Sequence, residues 1–503
     1  MHLCKNFTLS FLSVFLLPVF IIATPALSAQ TQDYHGLQKE IIELNKKLKD
    51  QQKEIDTLHR HLTRVYKQTL DETSMAAPLK LALHADLKSE YDQLDTKHAA
   101  EPPGGYHVTF RNELNLKFSA RPTDELQFHT TLTMYKLWGT WNSPQDVMNA
   151  DFNYSSRPSD TGIRVKRAYV DYRPQWLGRH ANLTFGRLPT SGGYLTQYTY
   201  NRPQQTSYPD LAFNAESDGA ALSFYADDFP IQSLNIIYAR SQDETDQHPF
   251  KKDINGLDDI DFYTVQINSR PSFIKDSLFV AQWFRIDNIR ATGDDILRQV
   301  YAAIDDKDST TTTLNFPDEF GYVDKYVLQF DAKHLFDLPI DFFVSGGWSR
   351  SRPNKKQILV NGSPIDPSTL PDKYKAAAKY LYPVSEDNQK AHKGAALYAG
   401  LRYTLDLGSD FSPKFGLEYF KGTKYWIGLN IAATDPYQKL NTRGTVWEAY
   451  YIQPLVKNML QMRAGYQHID RDYTESIMAG LYGAPEKTDE KNSLFYAGFD
   501  FRF

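Results

Sequence analysis

Tyr106-His107-Val108-Thr109-Phe110-Arg111-Asn112-Glu113-Leu114-Asn115-Leu116-Lys117-Phe118-Ser119-Ala120 is the stretch that decides the fold. Tyr106, Val108, Phe110, Leu114, Leu116, Phe118 and Ala120 fall on one side of a period of two, with Asn112 the single polar intruder. His107, Thr109, Arg111, Glu113, Asn115, Lys117 and Ser119 fall on the other. Such alternation makes a strand with one greasy face and one wet face. Soluble sandwiches show it too, so the lengths of the segments and of their connections have to decide between the two settings.

Working outward, the same alternation marks roughly sixteen segments, near 79–91, 105–121, 123–138, 162–174, 180–188, 217–227, 231–241, 260–271, 275–288, 321–335, 339–350, 393–406, 411–421, 443–453, 456–469 and 491–503. Many are long enough to cross a bilayer when tilted. Their connections alternate strictly. Arg121-Pro122-Thr123-Asp124, Asp227-Asp228-Phe229-Pro230, Phe336-Asp337-Leu338-Pro339 and Gln453-Pro454-Leu455 belong to short turns, whereas the intervening segments are mostly long and rich in Asp, Asn, Lys, Gly and Pro. Short turns on one rim and long loops on the other define an all-β, transmembrane, antiparallel up-and-down β-barrel over 79–503. An even strand number brings both ends of the barrel to the short-turn rim, so whatever precedes residue 79 starts on the periplasmic side.

Composition agrees. Aromatics make up 14% of the 503 residues, with 32 Tyr and 30 Phe. A mean hydropathy of −0.52 is too polar for a bundle of membrane helices and suits strands that are apolar on alternate positions. The formal charge of −5 offers no basic field for nucleic acid. Phe7 to Ala23, preceded by Lys5 and followed by Pro25-Ala26-Leu27-Ser28-Ala29, has the form of a cleaved secretory signal, so 1–29 is expected to be removed along with the only cysteine, Cys4. Segment 30–72 reads as a periplasmic coiled coil. Ile41, Leu48, Ile55 and Leu62 occupy one seam position and Leu37, Leu44, Leu58 and Val65 the other, with Gln51 the one polar member. These residues are the candidate oligomerisation contacts. Ile at one position with Leu at the other favours a dimer in isolation, yet a trimeric barrel could impose three strands, so the number stays open. A hinge over 73–78 ends at Pro78.

About sixteen strands enclose a lumen too wide for side chains to fill, so it holds water unless a loop folds inward. The third long connection, near 189–217, is the candidate: its aromatics Tyr194, Tyr198, Tyr200, Tyr208 and Phe213 need burial that a surface loop does not provide. Arg167 and Asp171 alternate with Ala168, Val170 and Tyr172, which places the charges inward; Arg187 joins them from the next strand. With Tyr194, Arg202, Asp210, Glu216 and Asp218 they make up the candidate pore constriction, where opposed charges across a narrow lumen would select solutes. At the chain end, Phe499, Phe501 and Phe503 share one face of the last strand, in the manner of a membrane-insertion signal read by barrel-insertion machinery. No nucleophile elbow, paired-His zinc spacing or phosphate-cradling glycine loop is present. No catalytic residue, metal or cofactor is therefore expected, and the chain is not read as an enzyme.

Arg167-Ala-Tyr-Val-Asp-Tyr-Arg-Pro174, Phe185-Gly-Arg-Leu-Pro-Thr190, Ser207-Tyr-Pro-Asp-Leu-Ala-Phe213, Glu216-Ser-Asp-Gly219 and the final Phe503 give the chain its family likeness. It resembles bacterial outer-membrane porins with an N-terminal periplasmic coiled coil, and among them an uncharacterised proteobacterial porin-like family. The resemblance implies a homotrimeric channel among outer-membrane lipid and lipopolysaccharide, with its third loop setting the constriction. It names no solute. The expected function is passive diffusion of small hydrophilic solutes or ions; the rival is a structural protein whose stalk, ~45 to 50 Å long at the helical rise, reaches toward peptidoglycan.

Overall fold

Period-two patterning becomes sixteen long strands because each can bury one face while its backbone pairs on both edges. The strands are β1 (Lys80–Lys97), β2 (Tyr106–Arg121), β3 (Leu126–Leu137), β4 (Arg164–Tyr172), β5 (Ala181–Leu188), β6 (Ser217–Tyr225), β7 (Ile231–Gln242), β8 (Ile260–Ser269) and β9 (Ser277–Asp287). They continue with β10 (Gly321–Ala332), β11 (Ile340–Pro353), β12 (Lys393–Thr404), β13 (Lys414–Gly422), β14 (Arg443–Val456), β15 (Leu460–Tyr473) and β16 (Lys487–Arg502). All sixteen expected segments coincide with these strands. In this computed structural model the described residues are 80–97, 106–137, 163–174, 176, 180–193, 196–202, 206–226, 231–242, 260–271, 274–289, 314–315, 321–354, 359–360, 363–364, 390–407, 411–430, 437–474 and 485–503, with Glu43, Lys46, Lys47, Lys49, Asp50 and Lys53.

Each strand pairs antiparallel with its sequence neighbours, and β1 pairs with β16 from Asp86 opposite Arg502 to Lys97 opposite Lys491, which closes the barrel. Closure leaves no free edge in the ring. Three two-residue strands, at 314–315, 359–360 and 363–364, form a small separate sheet. Connections at 122–125, 333–339, 405–413 and 457–459 lie on one rim, and the much longer ones at 138–163, 288–320 and 354–392 on the other. The outer wall is a band of exposed apolar side chains, among them Leu83, Leu87, Phe110, Phe118, Phe185, Ile236, Leu328, Trp348, Leu401, Leu417, Trp447 and Phe499. The inner wall is the reverse, carrying buried Glu90, Asp92, Arg111, Glu113, Asn115, Lys325, Gln329, Glu418, Glu448 and Arg463. Polar inside and apolar outside inverts a soluble protein.

The chain divides into two units, Met1–Ala77 and Pro78–Phe503. In the first, Glu43, Lys46, Lys47, Lys49, Asp50 and Lys53 are helical and exposed, and Lys47 pairs with Glu43 at 3.4 Å. The seam residues Leu37, Ile41, Leu44, Leu48, Ile55, Leu58, Leu62 and Val65 lie outside the described residues, as do the signal segment and the hinge.

Candidate pore and its inward loops

On β4 the inner face begins at a fault in the register. Thr131 of β3 opposes Arg167 while Leu132 opposes Val165, so Lys166 is an extra residue. A bulge of this kind lets two successive side chains leave the alternation, and Lys166 and Arg167 are both buried on the lumen side. Lys166 pairs with Glu113 of β2 at 3.3 Å, and Glu113 also accepts a hydrogen bond from Asn115. Arg167 pairs with Glu216 at 3.3 Å and donates to the Ser191 carbonyl and hydroxyl at 2.7 and 2.9 Å. Ser191 also hydrogen-bonds Glu216, so both ends of the third loop are tied to one arginine. Asp171, lower on the strand, accepts from Asn182 and Thr184 and faces His129 at 3.4 Å.

From there the loop crosses the lumen. Gly193 N–H donates to Asp210 at 2.9 Å, which folds the loop back on itself. The five-residue helix α1 (Thr196–Tyr200) reaches the far wall. Tyr198 hydrogen-bonds Asp331 of β10, Thr199 hydrogen-bonds Glu418 of β13, and Arg402 of β12 donates to the Tyr198 carbonyl. Arg502 of β16 caps the Tyr200 and Asn201 carbonyls at 3.0 Å each. Arg202 then forks onto Asp500 of β16 at 3.1 and 3.2 Å. Burial opposes charge on Arg202, but Asp500 and Glu113 outweigh it and raise the guanidinium above its ordinary range, so it stays a cation.

A second segment, unexpected from sequence, also enters the lumen: the described parts of the seventh long connection, 423–430 and 437–442. Trp426 is 0% exposed, its Nε1 donates to the Leu440 carbonyl at 2.9 Å, and its ring lies 4.6 Å from Lys325 Nζ. Gly347 provides the room, since a Cβ there would come within 2.7 Å of the indole. Lys439 bridges Glu418 and Glu448 of the wall at 2.8 and 2.7 Å. The two loops meet at a bridge between Asn214 and Asn430. Together with the wall they build an apolar core inside the barrel from Tyr198, Leu211, Val327, Phe343, Tyr398, Phe420, Trp426, Leu440 and Ile469. The only advance sign was Tyr425-Trp426-Ile427-Gly428-Leu429, an apolar cluster inside a loop.

Two of the expected constriction residues are elsewhere. Arg187 opposes Ala168 and Asp218, and cross-strand partners share a face. Ala168 is exposed, and Phe185, two residues before Arg187, is 45% exposed on the outer wall. Arg187 and Asp218 pair at 3.2 Å on the outside, and Arg240 pairs with Asp261 two strands along. Strand parity puts Arg187 and Asp218 outside, near a rim where a salt-bridged pair meets interface and not hydrocarbon. Arg167, Asp171, Arg202, Asp210 and Glu216 are gathered inside. Tyr194 lies outside the described residues.

Space remains on the short-turn side. A cavity of about 860 Å³ opens there under α1, lined by Asp86, Lys117, Tyr198, Arg202, Lys333, Asp341, Arg402, Lys414, Asp500 and Arg502 among others. Past Arg202 it meets a gap of about 20 Å³ lined by Glu113, Asn115, Lys117, Lys166, Arg167 and Ser191. That is room for about one water.

The chain is thus a closed sixteen-stranded up-and-down β-barrel whose lumen is narrowed by its third and seventh loops. It belongs to the family described as protein of unknown function (DUF3373), whose model matches residues 105–496. No curated protein matches it. Among solved structures it is similar to an anion-selective porin from Comamonas acidovorans, with 10% identity, a TM-score of 0.46, and 84% of this chain and 100% of that one covered. The trimer form of OmpT, an outer membrane protein of Vibrio cholerae, shares 9% identity at a TM-score of 0.43, covering 84% and 99%. Salmonella typhi OmpF in complex with daunomycin shares 9% at 0.41, covering 84% and 98%.

Proposed function

We propose that this protein is an outer-membrane channel for passive diffusion of small hydrophilic solutes or ions, narrowed by the third loop. The observation that carries this reading is the crossing of α1 and Arg202 from the β4–β5 wall to β16, with a charged cavity on one side and a one-water gap beside it. Fixed charges around a passage that narrow admit solutes by size and sign. An inner wall of this kind and an apolar outer band suit a barrel set in lipid, where every backbone group must be paired within the ring. Homotrimer assembly, contact with lipopolysaccharide and use of the barrel-insertion machinery belong to the same reading. Arg167, Asp171, Arg202, Asp210 and Glu216 then set the constriction, joined by Lys117 and Lys166.

Purified full-length mature protein added to planar bilayers tests it. Discrete conductance steps smaller than an unobstructed sixteen-stranded barrel would give are expected, because an apolar core fills part of the lumen. A barrel that stays silent and sediments with peptidoglycan would replace the channel with a structural anchor.

A further inference from the structure

The walls of the 860 Å³ cavity are unequally charged. Six cationic side chains, Lys117, Arg202, Lys333, Arg402, Lys414 and Arg502, face four side-chain carboxylates, Asp86, Asp331, Asp341 and Asp500, and the α-carboxylate of Phe503, which accepts from Ala85 N–H. The acidic groups are already engaged: Asp86 by Lys117, Asp341 by Arg402, Asp500 by Arg202 and Arg502 together, and Asp331 by the Tyr198 hydroxyl. Two cations are left over. Lys414 donates only to the Asn201 amide oxygen, at 2.7 Å, which leaves two of its three donors for something else. Lys333, on the rim, has no carboxylate within ion-pair distance among the described residues, although it feels Asp331 at longer range. Lys414 in turn feels Arg402 and Lys333 and, with opposite sign, Asp341. Like charges gathered on one wall of a low-dielectric cavity raise the local concentration of counter-ions.

We propose that this vestibule is a binding site for a small oxyanion, a phosphate or carboxylate group, held by Lys414 and Lys333 with Arg402 beside them. Ammonium and guanidinium donors converging on one cavity match the several acceptor oxygens of such a group. The transport consequence rests on the channel reading: anions collect at the mouth of the gap whose own lining, Lys117, Lys166, Arg167 and Arg202 against Asp86 and Glu113, is again predominantly cationic. Binding itself does not depend on conduction.

Two measurements on the detergent-solubilised full chain and its bilayer form separate these statements. Inorganic phosphate and succinate, titrated calorimetrically and added on the short-turn side of a chloride-conducting channel, are expected to bind and to block chloride current at millimolar concentration. The tighter of the two identifies the preferred group. K414Q, and independently K333Q at an exposed turn position, should each raise the half-blocking concentration about tenfold, the loss of one charge-assisted pair. Phosphate and succinate that both fail to bind calorimetrically, or that bind and block equally in wild type and variants, overturn the site and leave the channel standing; cation-selective conductance with binding intact overturns the transport consequence alone. Calorimetric binding that K414Q abolishes in a protein that never conducts keeps the site and removes the channel.

Discussion

Lys166 and Arg187 are both basic, both in strands and within hydrogen-bonding reach, since Arg187 Nε donates to the Lys166 carbonyl at 3.0 Å, yet one faces the lumen and the other the outer wall. Sequence periodicity places Arg167 correctly because the alternation with Ala168, Val170 and Tyr172 is unbroken. It loses Lys166 because a bulge is a matter of pairing register with β3, and nothing in Arg164-Val-Lys-Arg167 announces it. Arg187, expected inward beside Arg167, lies outside because it shares the parity of Phe185. The two residues therefore make a matched test. In the bilayer assay, Lys166→Gln should move the reversal potential in a salt gradient toward cation preference, by removing one of four cations at the gap. Arg187→Gln, which takes an outward, salt-bridged charge and a hydrogen bond to the Lys166 carbonyl but no lumenal charge, should leave it where it is. An equal shift for both would show that the gap's charges do not govern selectivity.

Elements were legible to unequal degrees. All sixteen strands announced themselves, with ends shifted by a few residues: the last was expected over 491–503 and runs Lys487–Arg502. Strand ends slide because pairing with neighbours, not the strand's own residues, decides where a ladder stops. The third loop was legible from aromatics that a surface loop could not bury. The seventh was not, because Thr423, Lys424, Asn430, Asp435, Pro436 and Asn441 give it the composition of a solvated loop. Its place is held by Trp426 and by Lys439, whose ammonium offsets two buried wall carboxylates. Trp426→Ala removes a fully buried indole, a loss of about 3 to 5 kcal/mol in a well-packed site. Local opening should absorb that loss, because the ladder of β13 with β14 does not pass through the loop. Single-channel conductance should then rise while strand content by circular dichroism is unchanged. Unaltered conductance would mean that the loop's other anchors suffice to hold it in the lumen.

For the whole molecule, the decisive pairing is between first and last strands, because β1 and β16 make the barrel independent of anything outside it. Each of the sixteen strands of the ring has a partner on both sides, so the ring satisfies its backbone without help from residues 1–77. The heptad seam expected from the sequence over 37–65, by contrast, would stabilise nothing until it met other copies of itself. The two units should therefore fail separately. Deleting 34–65 from the mature chain should leave β content and conductance per open channel intact. The temperature at which the oligomer dissociates in detergent, read by semi-native electrophoresis or by light scattering, should fall. If the truncated chain does not fold at all, the seam is part of how the barrel assembles, and the division at Ala77 does not mark independent folding. If it folds and its oligomer is just as heat-resistant, the contacts between copies lie on the barrel wall and the seam serves another partner.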